Sequence, residues 1–219
     1  MLLYTYTIMT NKQSQSILDE IESITIDHYE SRAESFWLGT CDHDVSQNIN
    51  VFIQGMPADK VLDILDFGCG PGRDLLVFKK LGHRPTGLDG CKAFCKMAEQ
   101  QSGLPVLHQQ FLSLDLEQAS FDGIFANASM FHVPRQELHR VLTDCHQALR
   151  EDGILFMSNP RGDSEGWQGE RYGSYMEFEE MKSYLQKAGF EIIHHYYRPE
   201  GLSREQQPWL AVVCKAVTT

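Results

Sequence analysis

The hydrophobic positions of this chain change their spacing near residue 60. Before that point apolar side chains recur every three or four residues, which is typical of amphipathic helices. Helices are predicted over residues 14–26 and around residues 29–37, and a third one carries Val45, Ile49, Phe52 and Ile53 on one face. We therefore expect an N-terminal helical cover of the active site over residues 1–55, ahead of a core over residues 56–219.

Beyond residue 60, short apolar runs alternate with helical stretches, a pattern that predicts βαβ units. Five strands are predicted, over residues 61–67, 84–88, 105–108, 123–127 and 154–158. A helix over residues 176–188, ended by Gly189, precedes the runs "FEIIHHYY" and "PWLAVVCKA". The loop between these runs is too short for a crossover helix, so they form an antiparallel pair. The predicted fold class is α/β, a doubly wound, mostly parallel seven-stranded sheet with an antiparallel terminal hairpin.

Composition narrows the classes of partner. Acidic residues outnumber basic ones by 30 to 19, and this balance disfavours binding to nucleic acid. The six cysteines lack the paired spacing of a zinc site, so we expect reduced thiols and no metal. The opening apolar run is too short for a signal peptide or a membrane span. We therefore expect a cytoplasmic protein that has no membrane partner.

The loop "DFGCGPGRD" at residues 66–74 carries three glycines at alternate positions directly behind the first strand. A turn needs only one glycine, so three indicate that a ligand approaches the backbone closely. Free N–H groups at the end of a strand and the start of a helix favour an anionic group. Asp66 adds a negative charge beside them, so a zwitterion fits this loop better than a pyrophosphate.

The second strand ends in "TGLDG", which places Asp89 where a carboxylate accepts hydrogen bonds from both hydroxyls of a ribose. A zwitterion joined to a ribose describes a nucleoside that carries an amino acid. Taken singly, the glycine loop is also compatible with a plain tight turn, and Asp89 with a surface carboxylate.

In their order along the chain, these motifs resemble the class I S-adenosylmethionine-dependent methyltransferases. The resemblance covers residues 61–158 and rests on "LDFGCGPG", "GLDG", "FDGIFANASMFHV" and "ALREDGILFMS". The terminal hairpin is similar to the reversed seventh strand of that family. The resemblance implies a Rossmann-like fold, S-adenosylmethionine as cofactor, S-adenosylhomocysteine as product, and methyl transfer as the activity.

The resemblance also implies roles for residues at matching positions. Asp66 lies near the ammonium group of the methionyl moiety, and Asp89 holds the ribose. The family often has an acidic residue at the adenine amine, where this chain has Gln110 and Phe111. The complete set of implied cofactor residues is Asp66, Gly68, Cys69, Gly70, Gly72, Asp89, Gly90, Gln110, Phe111, Asn127 and Ala128.

Acceptor residues are expected in the N-terminal cover and in the loop after the fifth strand, which are rich in aromatic and hydrogen-bonding groups. The predicted substrate residues are Trp37, Asp42, Asn159, Arg161, Arg171 and Tyr172. An acidic cluster around His43 separates two predicted helices, and we hypothesise that Asp42 and His43 close over the pocket with His43 as general base. His132 and His139 are interpreted as helix-face or capping residues.

Other functions compete with transfer to a small polar acceptor. Methyltransferases that act on base or amide nitrogens often carry "NPPY" after the fourth strand, where this chain has "NASM"; a protein acceptor stays open. A nicotinamide-dependent oxidoreductase spaces its glycines as G-x-G-x-x-G, unlike the G-x-G-x-G found here. A non-catalytic regulatory protein that binds S-adenosylmethionine is compatible with the same motifs.

Overall fold

The computed structural model describes the backbone of residues 2–217 and the side chains of residues 13–217. Three helices precede the sheet: α1 (Leu2–Glu30), α2 (Ala33–Thr40) and α3 (Ser46–Gln54). The predicted helix over residues 14–26 lies within α1. No helix in the described part of the chain is long and apolar enough to cross a lipid bilayer.

The sheet confirms the predicted fold class. It has seven strands in the order β3-β2-β1-β4-β5-β9-β8. Its strands are β1 (Asp63–Phe67), β2 (Arg84–Asp89), β3 (Val106–His108), β4 (Phe121–Asn127), β5 (Leu149–Pro160), β8 (Phe190–Arg198) and β9 (Trp209–Ala216). The helices of the core are α4 (Arg73–Lys80), α5 (Lys92–Ser102), α6 (Arg135–Ala148) and α7 (Phe178–Lys187). Strands β1 to β5 are parallel, and β9 runs antiparallel between β5 and β8.

Strand order reverses between β1 and β4, and this reversal positions the site. From β1 the chain proceeds outward through β2 to β3, then returns to the other side of β1 with β4. In an open α/β sheet, ligands bind beyond the carboxyl ends of the strands at such a reversal. The loop after Phe67 and the loop after Asn127 meet there.

Two hydrophobic clusters cover opposite faces of the sheet. One contains the apolar stripe of α6 together with α7. The other contains Phe52 of α3, which is fully buried against Phe78, Phe125 and Phe156. Burying a phenylalanine side chain stabilises a fold by about 1.5–3 kcal/mol. Helix α3 is therefore part of the core, whereas α1 and α2 lie over the crevice; the division at residue 55 stays a prediction.

The sequence pattern did not predict a second, two-stranded sheet. Strands β6 (Glu165–Gln168) and β7 (Arg171–Ser174) form an antiparallel hairpin in the segment that we expected to be a loop. Each strand has only four residues, contains a glycine and lacks the alternation of apolar and polar residues that marks a strand. Helix α7 ends at Lys187 with Ala188 as its C-cap, and Gly189 follows in the left-handed conformation at φ 88°.

Gly72 allows α4 and α5 to approach each other, and we predict that it is more sensitive to substitution than Gly82. Both have positive φ, 95° and 88°, so alanine costs about 1–2 kcal/mol at either position. A Cβ at Gly72 would also lie 2.9 Å from Cα of Ala98, whereas one at Gly82 meets nothing within 4 Å. Overpacking should add about 1–3 kcal/mol for Gly72→Ala. Urea unfolding of both variants measures this, and equal losses would contradict the prediction.

Candidate active site

The glycine loop between β1 and α4 is held from one side by the end of β2. The backbone N–H groups of Gly68 and Cys69 both donate to the carbonyl of Leu88, at 2.8 and 3.0 Å. Gly68 has φ 75°, and a Cβ there would lie 2.3 Å from Cβ of Ser129 on the loop after β4. Only glycine therefore fits where the two loops meet at the strand-order reversal.

Asp89, the last residue of β2, joins two loops through its carboxylate. Oδ2 accepts from the backbone N–H of Gly70 at 2.9 Å, and Oδ1 accepts from that of Cys91 at 2.8 Å. Burial raises the pKa of Asp89 to about 6, against the opposing effect of these two amides. Each oxygen keeps capacity for a further hydrogen bond from a ligand hydroxyl.

Asp66 lies beneath the glycine loop and is 2% exposed. Its Oδ2 has no hydrogen-bond partner among the described residues. Burial, together with the negative charge of Asp74, raises the pKa of Asp66 well above its usual range. An unpaired buried carboxyl is costly, so this residue is poised to pair with a cationic group brought by a ligand.

Two cavities adjoin the loop. The smaller, of about 100 Å³, lies between α1 and the ends of β2 and β3, and its lining includes Asp89, Gly90 and Phe111. The larger, of about 550 Å³, lies beneath α2 and the α2–α3 loop. Both share the residues Tyr29, Phe36, Gly68, Gly70 and Ala128. The glycine loop is thus the common wall of a smaller cavity and a larger one.

Tyr29 and His132 form part of the boundary between the cavities. Nδ1 of His132 is 2.7 Å from the carbonyl of Tyr172, which only accepts, so Nδ1 carries the proton. Burial lowers the pKa of His132 to about 4, so the ring is neutral and Nε2 accepts from the Tyr29 hydroxyl at 2.9 Å. Arg171 donates to the same hydroxyl oxygen at 3.3 Å.

A chain of polar groups fixes Asn127 at the end of β4. The amide of Asn48 on α3 is fully buried and donates to Oδ1 of Asn127 at 2.8 Å. The hydroxyl of Tyr196 on β8 donates to Oδ1 of Asn48 at 2.8 Å. Nδ2 of Asn127 in turn lies 3.4 Å from Oδ2 of Asp74. The core helix α3 therefore sets the orientation of an amide that lines the larger cavity.

The structure brings most of the predicted cofactor residues to the two cavities. Gly72 instead packs against Ala98, Asp66 lies below the loop, and Gln110 is exposed away from both cavities. Phe111 lines the smaller cavity and stacks on Phe67 with ring centroids 4.4 Å apart. Those that line a cavity are Gly68, Cys69, Gly70, Asp89, Gly90, Phe111, Asn127 and Ala128.

The predicted acceptor residues divide into two groups. His43, Trp37 and Arg171 line the larger cavity. Asp42, Asn159, Arg161 and Tyr172 lie outside the lining that the described residues give to either cavity. Arg161 is held instead by the carboxylate of Glu177 at 3.0 Å and by two backbone carbonyls, so it braces the loop before β9.

Further lining residues come from the terminal hairpin, from α1 and from the loop after β4. Arg198 and Trp209 belong to the terminal hairpin, and both reach the larger cavity. Glu22 of α1 and His132 line the smaller one. The first pair was predicted to contact a polar acceptor, from the aromatic and hydrogen-bonding character of "HHYYRPEGLSREQQPW". Sequence reasoning missed the second pair as cavity residues. The second pair had no local signal, because both residues reach the cavity through packing between distant segments.

The residues present fit an amino-acid nucleoside such as S-adenosylmethionine. The unpaired Oδ2 of Asp66 suits an ammonium group. A Cβ at Gly70 would meet only Phe36, at 3.8 Å, so this glycine leaves room for a ligand to approach the loop. Asp89 retains acceptor capacity for two hydroxyls at the wall of the smaller cavity. Apolar side chains such as Phe111 and Ile26 provide faces for a flat ring in that cavity.

Comparisons with known proteins point in the same direction. Residues 65–157 match a family model described as a methyltransferase domain. The chain is 26% identical over 156 residues to the ubiquinone biosynthesis O-methyltransferase of Glaesserella parasuis serovar 5 (strain SH0165). The aligned segment covers 64% of this chain and 65% of that protein. It is 32% identical over 108 residues to the trans-aconitate 2-methyltransferase of Enterobacter sp. (strain 638), 47% of this chain and 40% of that protein. The chain thus spans less than two thirds of either relative.

A solved structure has the same fold along most of its length. The 1,6-didemethyltoxoflavin-N1-methyltransferase of Burkholderia thailandensis, with bound 1,6-didemethyltoxoflavin and S-adenosylhomocysteine, superimposes with a TM-score of 0.74. The match covers 91% of this chain and 90% of that one at 21% identity.

The raised pKa of Asp89 makes a pH-dependent contribution to stability that Asp89→Asn removes. Its folded pKa of about 6 exceeds the ordinary value of 3.8, so the folded state binds the extra proton between these values. The carboxyl therefore favours folding below about pH 4, and this contribution is lost as the pH rises through about 6.

We expect the unfolding free energy of the wild type, relative to Asp89→Asn, to fall between pH 4 and pH 7. Urea titrations at intervals of pH measure it. A difference that stays constant over this range would contradict the prediction.

Proposed function

The chain belongs to the class I S-adenosylmethionine-dependent methyltransferase family, whose cofactor is S-adenosylmethionine, and we propose that it methylates a small polar acceptor by in-line displacement. The observation that carries this proposal is the shared wall of the two cavities. One side offers a carboxylate and apolar faces for a nucleoside, and the other is wide enough for a second molecule.

In this proposal the chain mainly positions its two ligands. When bound, S-adenosylmethionine supplies a methyl group that its positively charged sulfur already activates. Asp66 pairs with the ammonium group, Asp89 accepts from the ribose hydroxyls, and the glycine loop lies against the methionyl moiety. Orientation of this kind contributes about 7–11 kcal/mol in favourable cases, so no nucleophilic residue is required.

The lining of the larger cavity supports a small acceptor that carries a negative charge. Arg171 and Arg198 bring cationic groups to its wall, and Trp37, Phe131 and Trp209 bring flat apolar faces. One relative is named for trans-aconitate and the structural neighbour for 1,6-didemethyltoxoflavin, both small molecules. The net charge of −11 further favours a small acceptor over a nucleic acid.

We assign the role of general base to His43. It is exposed in the wall of the larger cavity, where the acceptor would bind. The neutral His132 is a different case, because its Nε2 already accepts from Tyr29 and its Nδ1 is bound to a carbonyl. His132 therefore acts through Tyr29 as a positioning residue between the two ligands.

The first experiment tests the proposed activity. Calorimetry with S-adenosylhomocysteine should show saturable binding to the purified chain. Incubation with methyl-labelled S-adenosylmethionine and a small-molecule extract should then give a labelled small product. Parallel incubations with total protein and with nucleic acid provide the matched controls.

Each result has a distinct meaning. Label in the protein or nucleic-acid fraction alone would contradict a small acceptor. Binding without any transfer would favour a regulatory protein that binds the cofactor. Absence of binding would overturn the proposal as a whole.

Once an acceptor is identified, substitutions of the two histidines should affect different quantities: His43→Gln the turnover rate, and His132→Gln the affinity for S-adenosylhomocysteine. For an acceptor that arrives protonated, His43→Gln is expected to lower kcat by about 10²–10⁴-fold, the usual contribution of a general base. Its affinity for S-adenosylhomocysteine should stay unchanged. His132→Gln should weaken that affinity, because Tyr29 loses its partner at the boundary between the cavities. An unchanged kcat for His43→Gln would remove its proposed role.

A further inference from the structure

One carboxylate in the smaller cavity has no role in the proposed function so far. Glu22 of α1 lies in the lining, together with Asp89, Phe111 and Leu112. Its Oε1 accepts from the backbone N–H of Leu112 at 3.0 Å. This bond joins residues 90 positions apart, so α1 delivers the carboxylate to the loop after β3.

The loop after β3 does not supply an acidic side chain of its own to the cavity. Gln110, which the family resemblance places at the adenine amine, is exposed and absent from the lining formed by the described residues. Asp115, farther along, is exposed and donates its backbone N–H to Oε1 of Gln109 at 2.9 Å. Glu22 and Asp89 are therefore the carboxylates in the lining formed by the described residues, and Glu22 is the one hydrogen-bonded to the loop after β3.

Glu22 and Leu112 together present one acceptor beside one donor. The edge of adenine that carries its amine presents the complement, a donating N–H beside an accepting ring nitrogen. We propose that Glu22 accepts the hydrogen bond from the adenine amine of the cofactor, with the Leu112 N–H directed at the adjacent ring nitrogen. This inference rests on the proposed function, and it assigns base recognition to α1 rather than to the loop after β3.

The charges around Glu22 suit this role. Arg140 donates to the carbonyl of Leu112 at 3.0 Å, which fixes the loop and places a guanidinium near the carboxylate. Burial raises the pKa of Glu22, and the hydrogen bond from Leu112 opposes that rise. A partner that donates from an amine would favour the ionised carboxylate further, since charge-assisted hydrogen bonds are stronger than neutral ones.

The size of the smaller cavity indicates how a base could replace the hydrogen bond between Glu22 and Leu112. Its volume of about 100 Å³ is below the range of about 300–1,000 Å³ usual for ligand sites. We therefore expect a nucleoside to displace α1 outward when it binds, which would separate Glu22 from Leu112. Both groups then become free to pair with the base.

Calorimetry with two nucleosides tests the proposal without any turnover. S-inosylhomocysteine differs from S-adenosylhomocysteine in carrying a carbonyl in place of the amine and a protonated ring nitrogen beside it. The wild type should bind the adenosyl compound about 10- to 100-fold more tightly, the range for one charged hydrogen bond. Glu22→Gln, whose amide both donates and accepts, should reduce this ratio at least tenfold by gaining affinity for the inosyl compound and losing it for the adenosyl one.

Two matched variants serve as controls. Glu20→Gln changes an exposed carboxylate on the same helix, and Gln110→Ala removes the side chain at the position that the family resemblance indicates. Both should keep the wild-type ratio. Thermal unfolding of all three variants establishes that Glu22→Gln is folded, since its amide oxygen still accepts from Leu112.

The outcomes separate this inference from the proposed function. If Glu22→Gln keeps the wild-type ratio, or if Gln110→Ala alone changes it, the assignment of Glu22 is overturned while cofactor binding stands. If the wild type binds neither nucleoside, the proposed function itself fails.

Discussion

The carboxylate of Asp89 is the interaction on which the site depends. It accepts one backbone N–H from the loop after β1 and another from the start of α5, and so fixes two crossover loops relative to each other. These bonds hold Gly70 in its positive-φ conformation next to both cavities. The arrangement has an electrostatic cost, because burial of the charged carboxylate opposes its ionisation.

Much of the fold and part of the site were predictable from the sequence, because their signals are local. The alternation of apolar runs and helical stretches predicts the sheet, and the glycine spacing places the loop where strand order reverses. Local patterns do not show which side chains are brought together by packing between distant segments. Gln110 turns outward although its position resembles that of an adenine contact, and Glu22 reaches the same region from α1. The short strands β6 and β7 carry too few apolar residues for their sequence pattern to predict a sheet.

The N-terminal segment combines two physical roles that sequence periodicity does not distinguish. Helix α3 buries Phe52 in the aromatic core and holds Asn127 through the buried amide of Asn48. Helix α1 instead covers the crevice, with polar contacts at its C-terminal end. Glu30 accepts from the backbone N–H of Ala93 at the start of α5, at 3.0 Å. Apolar residues recur at helical spacing in both helices. What distinguishes the core helix from the covering helix is the set of residues that each one packs against.

The β6–β7 hairpin is bonded to α1 and to the turn directly after it. The backbone N–H of Tyr172 donates to Thr25 at 3.1 Å, Glu170 pairs with Arg32 at 2.7 Å, and Arg171 contacts Tyr29. A hairpin that contributes Arg171 to the larger cavity is thus bonded to the helix that lines the smaller one. Under the proposed function, grafting a new hairpin to broaden substrate range is expected to alter cofactor retention in the same step, so the two properties should be selected together.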